Sequence, residues 1–552
     1  MRARPFGKAF SEIAVRVVVL LGGLVLCPLQ PGRAEDQKPT PRADLTPKGL
    51  VATDRIKTFE RLAKAGDANG AYCLGQALIE GDGVPKDPAA GVRWVTAAAE
   101  KDHPSALGYL GWILSEGTWL PQNDLRAFEL YAKGAALGDR YSQRSLAWAY
   151  RFGRGCAKDP AKARAWYERA TEGGDEEALV ALGILYEYGE GGPKDLTKAA
   201  QYYFQAANQN NADAQCRLGW FFLQGTGVEK KPELAFHLFM DSAQQGWPRA
   251  EGNLGYMLRY GVFVAKDPVA ARGWFQKSAD HGDEDSQVAL GSMLETGEGG
   301  PVDLAEARRW YERAANAKNV YGLMALGSLH QRSILPKDLK KAKALFLAAA
   351  EGGANRAYLL LAALCMTENE GNPSPLEEAK AWAEKGVAAG DAAANVFLGN
   401  LLRQGPGGKV EAARARQLLV EAAAKGDAMA KWHLGQRLMI EGKAGYGEAA
   451  RLFQEASDLG FPPAKLQLGI CYQLGRGVLR DPKRALRWIT ESAEGGFAEA
   501  QFYLSGLFEA GQLVPRSKQK AKEWLERAAA SGFPDARLQL GWPPSEPNGP
   551  GK

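Results

Sequence analysis

A leucine followed by a small residue, most often glycine, recurs along this chain at a fixed interval, and that interval decides what the chain can fold into. Leu74, Leu110, Leu146, Leu182, Leu218, Leu254, Leu290 and Leu326 stand 36 positions apart, and the series continues at Leu361, Leu398, Leu434, Leu468, Leu504 and Leu540 with spacings between 34 and 37. Self-similarity on this scale marks an array in which each unit buries its apolar face on the next. Four residues before each Leu sits a small residue, as at Ala178, Ala214, Ala394 or Ala500. Four after it comes a large one, as at Tyr150, Tyr186, Phe222, Tyr472 or Phe508. At 3.6 residues per turn the three positions share one helical face, and the small residue after Leu lets a neighbouring helix come close.

A second helix follows in each unit. Asp87-Pro88, Asp159-Pro160, Asp267-Pro268 and Asp481-Pro482 place a capping carboxylate before a proline at the first helical position, where its missing N–H is no loss. Seven residues beyond each Asp stands a bulky residue, Trp94, Trp166, Trp274 or Trp488. The loops carry spaced glycines, as in Gly81-Asp82-Gly83, Gly153-Arg154-Gly155 and Gly475-Arg476-Gly477, which suit the left-handed backbone that ends a helix. This repetition accounts for 65 glycines, roughly 12% of the chain against a usual level of about 7%. The predicted fold is all-α, an α/α superhelical solenoid of about thirteen helix hairpins, with repeats starting near 70, 106, 142, 178, 214, 250, 286, 322, 357, 394, 430, 464 and 500 and a partial unit at 536. Residues 53–66, with Ile56, Phe59 and Leu62 on one face, read as a capping helix. The array spans 50–541, a polar, Pro-rich linker covers 35–49, and 542–552 is a Gly/Pro tail.

The pattern Ala178, Leu182, Gly183, Tyr186, Gly189, Gly191, Asp195, Lys198, Ala199, Tyr202, Tyr203, Ala206 and Ala207 resembles the Sel-one-like repeat family, a relative of the tetratricopeptide repeats. Asp159, Lys162, Ala163, Trp166, Tyr167, Ala170 and Gly173 repeat its second half. The resemblance implies a right-handed superhelix whose first helices line a concave side, and adaptor roles in assembling envelope, secretion or polysaccharide machinery or in binding host proteins. The loops near Gly371–Pro375, Pro406–Lys409 and Lys443–Gly447 depart from the family form.

Charge and composition exclude several classes. The whole chain carries 69 basic and 64 acidic residues. Arg2, Arg4, Lys8 and Arg16 precede an apolar run from Val17 to Leu29, and Gly32-Arg33-Ala34 ends in small residues, so residues 1–34 read as a cleaved export signal. Its removal leaves 64 basic and 63 acidic residues, without the basic surplus of a nucleic-acid binder. A lipid anchor at Cys27 is disfavoured by Leu26 before it, and a 13-residue apolar run is short for a membrane span, which needs about 20. The expected location is periplasmic or secreted, in a bacterium, with no membrane span after cleavage.

The scan for chemistry finds little. Cys73, Cys156, Cys216, Cys365 and Cys471 fall in separate, mostly distant repeats, so no disulfide is expected. His103, His237, His281, His330 and His433 never cluster with one another or with a cysteine, and no metal or cofactor is expected. Phosphate-cradle, dinucleotide and nucleophile-elbow motifs are missing. Some members of the resembled family have been proposed to act on β-lactams. Here Ser517-Lys518-Gln519-Lys520 is the lone Ser-x-x-Lys, and Ser517 stands where other repeats have the capping Asp.

One pattern exceeds scaffolding. Two residues after Leu, on the side away from the packed face, repeats two to six carry Trp112, Trp148, Ile184, Trp220 and Tyr256, whereas repeats seven to eleven carry Ser292, Ser328, Ala363, Asn400 and Gln436. Arg144, Arg151, Arg217 and Arg259 lie nearby, with Phe152, Tyr188 and Tyr260 close to the loops. Stiff aromatic area with planar donors is the composition of binding hot spots. The alternative is that each ring packs on the neighbouring repeat. The reading is a non-catalytic scaffold that takes a peptide or protein partner in the groove. A glycan-binding module for peptidoglycan or exopolysaccharide is the alternative, and a β-lactam hydrolase-like enzyme is third.

Overall fold

The computed structural model describes residues 52–331, 338–366, 375–404 and 408–543, and every regular element among them is helical. The export signal with Cys27, the linker at 35–49 and most of the tail lie outside the described residues, as do much of the divergent loops near 371–375 and 406–409. The described residues form two compact units, one of 52–286 with 298–301, the other of 287–297 with 302–543.

In the first unit a helix at Ala52–Lys64 precedes six hairpins: Ala68–Glu80 with Pro88–Ala99, Pro104–Glu116 with Asp124–Ala136, Arg140–Phe152 with Pro160–Glu172, Glu176–Tyr188 with Leu196–Asn208, Ala212–Gln224 with Pro232–Gln244, and Pro248–Tyr260 with Pro268–Asp280. The second holds most of Glu284–Thr296, paired with Leu304–Asn316. Six further hairpins, from Val320–Gln331 with Leu339–Glu351 to Ala498–Ala510 with Lys518–Ala530, and a short helix at Pro534–Gln539 complete it. The all-α solenoid expected from the repeat is what the chain forms. In the divergent stretch that is described, a single 3-10 turn at Lys443–Gly445 replaces the glycine loop.

Local chemistry explains the hairpins. The Asp87, Asp159 and Asp267 carboxylates accept from the N–H of Ala90, Lys162 and Ala270 at 2.9–3.0 Å, each ahead of a first-turn proline. In most hairpins a glycine follows the leucine and lies against a side chain of the second helix, usually a ring. A Cβ on Gly183 would stand 2.5 Å from Tyr203, on Gly219 2.8 Å from Phe239, and on Gly435 2.6 Å from Phe453. Those rings are wholly buried, which is worth about 1.5–3 kcal/mol apiece. The packing side chain is the residue after the expected bulky position: Tyr167, Phe275 and Ile489 are buried, whereas Trp166, Trp274 and Trp488 are half-buried beneath Arg169, Lys277 and Arg487.

A second correction concerns the large residue four after Leu. Tyr150, Phe222, Tyr472 and Phe508 are half-buried although Tyr186 is buried, and the residue three after Leu, as at Leu185, Phe221, Met257 and Cys471, fills the core more fully. Position four faces the hairpin edge, where Tyr150 meets Phe128 at 5.3 Å and Tyr186 stacks on Tyr202 at 5.5 Å. The two helices of a hairpin are also joined by hydrogen bonds. Ser242 and Ser278 donate through Oγ to the Ala212 and Pro248 carbonyls at the start of the helix ahead of their own, both at 2.7 Å.

One cap is under electrostatic tension. Asp283 accepts from the Ser286 N–H at 2.8 Å, and Arg249 approaches it at 3.7 Å, yet burial raises its pKa above the usual aspartate value. A carboxyl whose folded-state pKa is raised disfavours folding once pH exceeds its unfolded value, and the penalty disappears as pH falls. Asp283→Asn keeps the cap acceptor, so it is expected to leave stability at pH 7 unchanged or higher. The gain should shrink to nothing below about pH 4, as followed by thermal unfolding across pH.

Candidate binding groove

The first helices of the third to fifth hairpins, with the loops that lead into the fifth and sixth, enclose a cavity of about 400 Å³ in the first unit. Its apolar walls are Trp148, Phe152, Val180, Ala181 and Ile184, with Trp247 facing in from the start of the sixth hairpin, and its polar lining includes Glu176, Glu177, Asn210, Asn211, Asp213 and Gln245. Regular spacing produces this arrangement. Trp148 and Ile184 are 36 residues apart on successive first helices, and Trp148 packs on Phe152 one turn on, at 5.3 Å. The Trp148 indole N–H has no acceptor.

Of the eleven residues singled out by sequence, Arg144, Trp148, Arg151 and Phe152 line this cavity and the other seven do not. Trp220 is only 7% exposed and belongs to the core of its unit. Trp112 is half-buried between Tyr109 at 5.4 Å and Trp119 at 5.7 Å. Tyr188 and Tyr256 are half-buried, and Tyr260 is exposed beside Tyr256 at 4.8 Å. An aromatic ladder open to a ligand along its whole length is thus not present. The angle derived from one isolated helix omits the residues that pack around the ring.

The arginines are corrected likewise, because none stands as an uncommitted donor. Arg144 pairs with Asp175 at 3.1 Å and Glu177 at 2.5 Å, Arg217 with Asp213 at 2.9 Å, Arg151 with Glu190 at 2.8 Å and Arg259 with Glu298 at 2.8 Å. All four side chains are buried. Burial works against the Arg151 cation, but the Glu190 hydrogen bond and the electrostatic pull of Tyr167, Glu190 and Tyr203 together outweigh it, so its pKa lies above the usual arginine value. Burial pushes the Tyr167 phenol in the cavity floor up to about 12, with Arg151 and Arg144 pulling against it. The floor therefore stays uncharged while the rim carries the ionised groups.

Sequence reasoning missed Val180, Ala181, Asn211, Asp213, Gln245 and Trp247. Trp247 had a readable signal: it occupies a helix N-cap, where Asp139, Asp175 and Asn211 bond the helix and Trp247 does not. Giving up a cap costs about 1 kcal/mol, so a ring there invites explanation, although Phe461, Phe497 and Phe533 do the same in the second unit.

Other candidate chemistry resolves into structure. Cys73, Cys156, Cys216, Cys365 and Cys471 stand outside any disulfide, three of them buried. Ser517 caps its helix, accepting from the Lys520 N–H at 3.3 Å. His103 caps another through Nδ1, and His281 meets Glu251 at 2.8 Å. No group of His, Cys, Asp or Glu among the described residues is placed to hold a metal. No described helix is long and apolar enough to cross a membrane.

Stacked helix hairpins with a groove on the first-helix side define an α/α repeat solenoid of the kind that generally serves protein interaction. The family model of the Sel1 repeat matches twelve units, from 68 to 353 and from 392 to 533, and the chain belongs to that family. Among solved structures it is similar to a protective antigen of uropathogenic Escherichia coli strains described as displaying an SLR fold, at 25% identity over 88% of each chain with a TM-score of 0.46. It is also similar to a Sel1 repeat protein from Oxalobacter formigenes, at 28% identity over 58% of this chain and 96% of that one, with a TM-score of 0.42. No curated protein matches the chain.

Proposed function

We propose that this protein is a non-catalytic scaffold of the bacterial envelope, exported by residues 1–34, which holds an extended segment of a partner protein in the groove around Trp148. The observation that carries this reading is the cavity of about 400 Å³, whose apolar wall of Trp148, Phe152, Val180 and Ile184 adjoins a rim of amides and carboxylates. Rigid apolar walls bury side chains, and a polar rim satisfies the backbone of an extended chain.

A photo-crosslinking amino acid placed at Ala181, a part-exposed lining residue, tests it in the native cell. The expected result is one discrete adduct with a partner protein, absent from a control at Gln205, which is exposed on a second helix, and located in an envelope fraction. Crosslinks from Gln205 alone, or adducts only with wall polysaccharide, would count against the reading.

A further inference from the structure

Within the groove reading, the geometry points to a cationic side chain as the feature of the partner that the groove selects. Three carboxylates, Glu176, Glu177 and Asp213, line the cavity and remain part-exposed, although Glu177 already pairs with Arg144 and Asp213 with Arg217. The two cations in its wall, Arg144 and Arg151, are less than a tenth exposed and already ion-paired. With Asp175 and Glu190 beyond the lining, five carboxylates stand against three buried arginines, Arg144, Arg151 and Arg217, so the site keeps a negative excess.

The helix ends do not cancel this excess. Glu176 and Glu177 stand in the first turn of Glu176–Tyr188, and Asp213 in the first turn of Ala212–Gln224. A helix N-terminus supplies about half a positive charge, less than the carboxylates gathered on it. An entering anion would therefore meet net repulsion and buried arginines that it could reach only by breaking existing pairs.

A lysine or arginine fits both halves of the site. Its aliphatic stem lies along the Trp148 and Phe152 rings, and its head reaches the carboxylates at the rim, the arrangement by which long basic side chains bury their stems while keeping the charge solvated or paired. A neutral apolar side chain would fill the wall and leave the rim unused. The occupant is thus a segment of a partner protein that presents a basic residue flanked by apolar ones.

The test is a random dodecamer peptide library displayed on phage and panned on the full chain. Peptides that also bind the Ala181→Trp protein, in which the cavity is filled, are removed. The groove-dependent peptides are expected to be enriched in Lys and Arg. A synthetic peptide from the leading group should lose at least tenfold in affinity when its basic residue becomes norleucine, and about fivefold between 50 and 300 mM NaCl. Glu176→Gln should weaken it severalfold with an unchanged melting curve. Groove-dependent peptides without basic enrichment, or a norleucine peptide within twofold of its parent, would overturn the charge selection and leave the groove standing. A library that yields no groove-dependent peptide would overturn both.

Discussion

Replacing Gly155 by alanine is expected to cost roughly 2–5 kcal/mol locally, adding the left-handed backbone penalty to that of a steric overlap. Gly155 is the second glycine of its loop and has φ +69, and a Cβ there would stand 2.0 Å from the Asp124 carbonyl oxygen at the start of the preceding second helix. The obstacle is backbone, so no rotamer change relieves it. Gly174→Ala is the matched control: φ is +81, but nothing lies within 4 Å of the new Cβ, leaving the conformational term of about 1–2 kcal/mol alone. Because repeat arrays open locally, the readout is amide hydrogen exchange. Gly155→Ala should speed exchange in Asp124–Ala136 and Arg140–Phe152 by at least tenfold more than Gly174→Ala does in its own neighbourhood. Equal effects would mean that the second glycine serves only its own φ, and the contact between repeats would carry no weight.

That glycine illustrates what the sequence reveals and where it stops. The first glycine of each loop announces itself as a helix terminator, because the left-handed backbone is a local requirement. The second also touches the previous repeat, which only the stacked structure displays. Caps behave like the first case: Asp159 and Ser517 were readable as N-caps because the bond lies three residues away in the same helix. Packing across helices was half readable. The small residue after Leu demanded a close neighbour, but whether Trp166 or Tyr167 supplied it depended on the rotation of the second helix, and Tyr167 does. The hairpin Arg356–Cys365 with Pro375–Ala388 forms although the family model passes over it. Ala362 still keeps a small, fully buried residue after Leu361, so the packing rule outlasts the family signature.

The groove was the least legible element, since which residues meet there depends on contacts between repeats. Trp148 and Trp220 occupy equivalent positions and are equally buried, yet Trp148 lines this groove and Trp220 does not. Arg151 and Arg259 looked like ligand donors because their carboxylates lie in the next repeat. The clue was a spacing of 39: Glu190 and Glu298 sit between the two glycines of the following loop, and each receives the arginine 39 positions before it. Where that loop position is Thr226 or Arg476, the residue 39 back is Glu187 or Arg437 and no such pair can form across a matched charge.

Glu190→Gln should therefore be among the most damaging conservative changes in the first unit. Arg151 is held by two hydrogen bonds from Nε and Nη2 to the Glu190 carboxylate, at 2.8 and 3.1 Å. The arginine side chain is 8% exposed and the glutamate 31%. Removing the carboxylate strands a buried guanidinium, for which losses of about 3–5 kcal/mol are usual, and the partial exposure of this site places the expected loss near the lower end. Arg151→Met leaves a carboxylate that water can reach and should cost less. The double variant Arg151→Met, Glu190→Gln removes both charges and should recover much of the loss of Glu190→Gln, giving a coupling energy above about 1 kcal/mol. Glu129→Gln is the reference, since its pair with Arg126 has both side chains more than half exposed and should change stability by less than about 0.5 kcal/mol. Exchange rates in Arg140–Phe152 and Glu176–Tyr188 report each variant where it acts. If Glu190→Gln proves as mild as Glu129→Gln, the pair between these repeats does not hold them together, and the wall of the groove is fixed by apolar packing alone.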